Sequence, residues 1–235
     1  MSAQTLENLE NTAPDPTPGT VVVELDASAS LAELTELVNG ACDRAEDGSE
    51  HGALILRLTA GTDDDGWPAD LAVHQVNRWE RAVRRIERLG ALTMTVADGT
   101  LTGPLVDVFL AADHRIAGTR LRLVLRDRDG LPWPGMTLYR LAHQLGVARA
   151  RRVLLAASVD ATEAHTAGLA DEITSDPDRP WAALAELAPA RGPEFAVRRR
   201  LLLEATTTTF EEAIGPHLAA CDRVIRRRGQ AFRED

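Results

Sequence analysis

The stretch from Val96 to Gly118, VADGTLTGPLVDVFLAADHRIAG, holds the residues of this chain best suited to chemistry. Asp98-Gly99 predicts a tight turn. Gly103-Pro104 predicts the start of a short apolar helix, because Pro suits the first helical position. Backbone N–H groups gather without intrahelical partners at such a start. That arrangement presents donors to a negative charge developing on a carbonyl oxygen. Asp113 then leads into a strand. The common reactive patterns are missing elsewhere. The histidines at 51, 74, 114, 143, 165 and 217 show no metal-ligand spacing of the H-E-x-x-H kind. No serine stands in G-x-S-x-G, and no glycine-rich phosphate loop occurs.

These residues need elements to position them. TVVVELDA from Thr20 predicts a buried strand. Ser28 or Ser30 caps the helix that follows, where Leu31, Leu34, Leu37 and Val38 fall at helical spacing. Residues 52–60, GALILRLTA, predict a second strand and GTDDDGWP a loop. Ala69 to Leu89 predicts a helix with Leu71, Val76, Trp79, Ala82, Val83, Ile86 and Leu89 on one side and a row of arginines on the other. LTMTVADG (92–99) is a third strand. Strand and helix alternate here, which implies parallel pairing through right-handed crossovers. A strand pair is expected near His114–Ala117 and Leu121–Leu125. Helices then follow over Thr137–Leu145, Ala148–Ala156, Thr162–Ala167, Trp181–Ala188, Pro193–Glu204 and Phe210–Arg227.

Composition narrows the class. The chain of 235 residues is 44% apolar and 26% charged, which suits a globular protein rather than a disordered one. No run of about 18 apolar residues suggests a membrane span. The first 18 residues are polar, acidic and Pro-containing. They are expected to form a flexible tail and do not resemble a secretory signal, so a cytoplasmic protein is expected. A net charge of −10 argues against general nucleic-acid binding. Cys42 and Cys221 are read as reduced, buried thiols. There is no lysine, and all 26 basic residues are arginine. Any phosphate contact must therefore come from arginine or backbone. The arginine clusters at 149–152, 198–200 and 226–228 are read as solvated helix faces.

Three motifs resemble the crotonase (enoyl-CoA hydratase/isomerase) superfamily. The first is the opening segment, Val96–Gly118. The second is Gly130-Leu131 followed by Pro134-Gly135, similar to the family's G-L-x-P-G turn. The third is GVARARRVLLAASVDATEAHTAGLADEI (146–173), where small, apolar and acidic positions hold the family order. The resemblance implies a spiral core of ββα turns over residues 19–175. It also implies a C-terminal helical extension, 176–235, that serves trimerisation. The implied substrate is an acyl-CoA thioester; no metal and no separate cofactor are implied.

The resemblance also assigns site residues. Family members hold a thioester enolate with two backbone N–H groups. WPADL (67–71) puts Ala69 in one donor role, and Gly103, Pro104 and Leu105 match the glycine triplet that supplies the other. Pro104 stands on the donor position and has no N–H. Either the hole lacks that donor, or Gly103 or Leu105 donates instead. The two acid/base glutamates of the hydratases correspond to Asp107 and Asp127, with the spacing of 20 kept. Each aspartate is one methylene short, an offset on the order of 1 Å. The CoA-binding lysines correspond to Asp63 and Ala72. Trp133–Met136 reads as a packed turn, with a wall of the acyl pocket as the alternative. His74 lies beside the expected enolate loop.

Within the family the chain is similar to the small DpgB-type members of the pathway to 3,5-dihydroxyphenylacetyl-CoA, a precursor of dihydroxyphenylglycine in glycopeptide antibiotics. That likeness implies a lyase that dehydrates and aromatises a polyketide-CoA beside a type III polyketide synthase. The alternative is a non-catalytic subunit with the crotonase scaffold that stimulates or stabilises a partner enzyme or a sister crotonase. Either reading implies a homo- or hetero-oligomer built on trimers.

Overall fold

The computed structural model describes residues 19–48, 52–61, 71–126, 129–156, 158–177, 181–187 and 192–234. The expected N-terminal tail lies outside them, as do Ala69, Asp127, His51 and Asp63–Asp65. Strands β1 (Thr20–Asp26), β2 (Ala53–Thr59) and β3 (Leu92–Asp98) alternate with helices α1 (Leu31–Glu46) and α2 (Val73–Arg88). All three strands pair in parallel, with Leu54 opposite both Val21 and Thr93. β5 (His114–Gly118) and β8 (Glu172–Thr174) complete one five-stranded parallel sheet in the order β1-β2-β3-β5-β8. The alternating strand–helix sequence thus produced the α/β architecture expected of it.

Side chains alternate across the pleat, so the sheet has two apolar faces. Leu54, Leu56 and Leu58 join the main core with α1, α2 and α3 (Gly103–Ala111). Ile55, Met94, Val96 and Ile116 face the other way. They pack on Leu184 of α7 (Trp181–Glu186) and, at the margin, on Phe195 of α8 (Pro193–Glu204).

A second, small sheet sits beside α3. β4 (Thr100–Leu101) pairs in parallel with β6 (Arg122–Val124), which pairs antiparallel with β7 (Ser158–Asp160). The strands expected as a pair near 114–117 and 121–125 therefore part into different sheets. The turn at Thr119-Arg120 separates them, and Arg120 N–H donates to Asp98 Oδ1 at 2.9 Å.

Local chemistry sets the helix starts. Ser30 caps α1 in a capping box with Glu33, and Asp160 caps α6 (Ala161–Ala167) in another with Glu163. α2 begins at Val73, later than the expected Ala69. Ala72 is its N-cap, and Gln75 Oε1 accepts the Ala72 N–H at 2.7 Å. α4 (Thr137–Leu145), α5 (Val147–Ala156) and α9 (Phe210–Glu234) complete the chain. No helix among the described residues is long and apolar enough to cross a membrane.

Two expectations about side chains change. Cys42 is buried, and burial pushes its thiol up to about 11, but Cys221 is exposed on α9. Arg199, expected on a solvated face, is buried. Its guanidinium donates to Asp113 Oδ2 at 2.5 Å, and Asp113 also accepts from Thr93 N–H and Oγ1. This pair joins α8 to the sheet.

Candidate active site

A cavity of about 550 Å³ opens where four segments meet. The β1–α1 turn from Ala27 to Leu31 forms one side, and the first turn of α3 forms another. Val124–Arg126 with Pro132–Trp133, and then α4, supply most of the rest, and Leu154 of α5 adds one side chain. The wall is mostly apolar, as small-molecule sites are.

The start of α3 faces the cavity. Gly103 adopts φ +50°, a backbone state open to glycine and strained for most side chains. Thr102 is the N-cap but makes no side-chain capping bond, and Pro104 sits in the first turn. The Leu105 N–H reaches Thr102 O at only 3.3 Å. The first turn of α3 thus keeps the positive end of the helix at the cavity wall. Gly103 and Pro104 both line the cavity. Pro104 itself supplies no N–H.

Asp107, one turn further along α3, is fully buried and does not line the cavity. Its Oδ1 accepts from Thr137 Oγ1 at 2.7 Å and from Arg140 Nη1 at 2.9 Å. Its Oδ2 accepts from Trp133 Nε1 at 2.8 Å. Trp133 and Thr137 do line the cavity, so Asp107 stands one layer behind the wall and holds two of its side chains.

Arg140 closes the cluster. It donates from Nε to Glu87 Oε1 and from Nη2 to Glu80 Oε2, each at 2.8 Å. Glu80 Oε1 accepts the Met136 N–H at 2.7 Å, and Arg84 pairs with Glu87. Three carboxyl groups therefore share two guanidinium groups. Burial, opposed by Arg140 and reinforced by Glu80, pushes the Asp107 carboxyl up to about 7. Burial works against the Arg140 charge, but Asp107, Glu87 and Glu80 outweigh it and hold its pKa above the ordinary value.

The structure brings Gly103, Pro104 and Asp107 to one corner; Ala69 and Asp127 lie outside the described residues. Trp133 serves both as a packed turn residue and as wall. His74 is exposed on the first turn of α2. Sequence reasoning missed Arg140, Glu80, Glu87 and Thr137. One signal was available: Thr137, Arg140 and Leu141 share the buried stripe of α4, so a cation sat on an inward face. Among the described residues no group of His, Cys, Asp and Glu is arranged to hold a metal ion.

No family model matches the chain. A protein from Amycolatopsis orientalis named enoyl-CoA-hydratase is 47% identical over 214 residues, spanning 89% of this chain and 97% of that protein. The fold is similar to that of an enoyl-CoA hydratase from Bacillus anthracis, with TM-score 0.75, 22% identity and 93% of each chain covered. An enoyl-CoA hydratase/isomerase from Cupriavidus metallidurans gives TM-score 0.74 and 21% identity, covering 90% of this chain and 86% of that one. A counterpart from Marinobacter aquaeolei gives TM-score 0.73 at 15% identity, with 90% of each chain covered.

Proposed function

The chain belongs to the crotonase (enoyl-CoA hydratase/isomerase) superfamily, and on that premise we propose that it binds an acyl-CoA thioester in the cavity at the start of α3. The observation that carries this reading is the uncapped, glycine-initiated helix start at the wall of a largely apolar cavity. A thioester carbonyl placed there meets the positive end of α3 as its oxygen gains charge. Ala69 is one proposed donor and Gly103 the other, with Leu105, whose N–H lies 3.3 Å from Thr102 O, as the alternative to Gly103.

The reaction we propose is loss of water from a cyclised polyketide-CoA, leading to 3,5-dihydroxyphenylacetyl-CoA beside a type III polyketide synthase. A C–H and a C–O bond break, one proton leaves the α-carbon, and one reaches the departing hydroxyl. Asp107 and Asp127 are the proposed proton carriers. A carboxyl near pH 7 suits that role. Asp107 reaches the cavity only through its neighbours, and Thr137, which lines the cavity and whose hydroxyl bonds Oδ1, is the proposed relay.

A second reading has its own observation. Asp107 is enclosed, with both oxygens engaged, and Pro104 offers no donor. Those features suit a subunit that keeps the scaffold and stimulates a partner enzyme or a sister crotonase. Conversion by the synthase, measured with and without this protein, separates the readings. With Asp107→Asn or Asp127→Asn, the enzyme reading expects the stimulation to fall about 10²-fold or more. Full stimulation by both folded variants overturns the acid/base role and supports the subunit. We further propose that residues 176–235 serve assembly.

A further inference from the structure

Among the described residues, two charged side chains line the cavity, Glu33 and Arg126. Glu33 is committed to the start of α1. Its Oε2 accepts from Ser30 N–H at 2.8 Å and from Ser30 Oγ at 2.7 Å. Arg126 differs. It is half-buried, its Nη2 donates to Leu154 O at 2.9 Å, and it forms no ion pair with a described carboxylate. A guanidinium has five donors in a planar fork shaped for carboxylate or phosphoryl oxygens. Among the described residues, one backbone carbonyl takes one arm of that fork. A cation drawn partly out of water into a mostly apolar wall is costly unless an anion meets it. The buried Arg140 of α4 shows the contrast, since three carboxyl groups surround it.

We propose that Arg126 is the anion-recognising residue of this cavity, and that its ligand is a thioester carrying an anionic oxygen group within reach of that fork. The proposal rests on the reading that the cavity holds an acyl-CoA. The anionic group has two sources, a carboxylate on the acyl chain or a phosphate of the CoA nucleotide. Because the chain has no lysine, arginine is the permanently charged side chain left to answer either one.

Titration calorimetry with acetyl-CoA, malonyl-CoA and acetyl-3′-dephospho-CoA tests this on the full chain. The wild-type protein is expected to prefer malonyl-CoA over acetyl-CoA, or acetyl-CoA over its dephospho form, by about tenfold, the scale of a charge-assisted pair. Arg126→Gln removes that preference and leaves the other comparison unchanged. Loss of the malonyl preference places the anion on the acyl chain, and loss of the 3′-phosphate preference places it on the nucleotide; both support the proposal. Arg126→Met, which keeps the aliphatic stem, is the second variant should the first not fold. A folded variant that discriminates among the three thioesters as the wild type does overturns the proposal and leaves the function standing. A wild-type protein that binds none of the three overturns the function and this inference with it.

Discussion

At the scale of single residues, the charge balance around Arg140 decides how Asp107 behaves. Asp107, Glu80 and Glu87 face Arg140 and Arg84, so one carboxyl is in excess, and the proton is held where burial is deepest. The Asp107 carboxyl rises from an ordinary 3.8 to about 7. The folded chain therefore holds this proton more tightly than the unfolded chain. The resulting stability is fully present below about pH 4 and is lost as the pH rises through about 7, with a slope of at most about 1.4 kcal/mol per pH unit. Urea unfolding between pH 5 and pH 8 checks this. The wild type should lose its advantage over Asp107→Asn as the pH rises, and parallel curves for the two proteins would count against it. The sequence placed Asp107 on a family position but did not disclose its neighbours. Arg140, Glu80 and Glu87 come from two other helices, and no spacing along the chain links them to position 107.

At the scale of elements, the turn from Pro132 to Met136 carries the coupling between cluster and cavity. Gly135 is required there for space. A Cβ on it would lie 2.2 Å from Trp133 Nε1, 2.6 Å from Asp107 Oδ2 and 2.7 Å from Glu80 Oε1. Gly135→Ala should displace the Trp133 indole from Asp107 and lower stability by about 1–3 kcal/mol, as overpacking does. Chemical denaturation gives the loss, and a changed near-UV tryptophan signal gives the displacement. The Pro134-Gly135 pair was legible as a motif in the sequence, yet the reason for its glycine was not. That reason lies in α2 and α3, which supply Glu80 and Asp107. The helix starts were easier to read, because a cap such as Ser30 with Glu33 is complete within four residues.

At the scale of the whole molecule, the parallel sheet lies between a main helical layer and the C-terminal helices, with Arg199–Asp113 pinning α8 to the core. α9 packs chiefly on α8. It leaves Phe210, Ile214, Leu218 and Ile225 exposed, and their spacing puts them in one stripe of the helix. A stripe of that kind on a long helix is the signature of a surface meant to be covered. Sedimentation of the full chain should show a trimer-based assembly. Phe210→Ser with Ile225→Ser should shift it toward monomer while leaving the fold, read by circular dichroism, intact. A wild-type monomer at micromolar concentration would rule out the assembly role of residues 176–235.

The sequence by itself determined the α/β class, the parallel order of β1 to β3, most helix positions and the crotonase membership. Each of these depends on patterns local to the chain: hydrophobic period, caps and short motifs. Tertiary structure alone decided that Asp107 is enclosed behind Trp133 and Thr137, that β5 and β6 part into two sheets, and that Arg126 faces the cavity. Those outcomes depend on which distant segments pack together, and a charge finds its partner only after the helices that carry both have met.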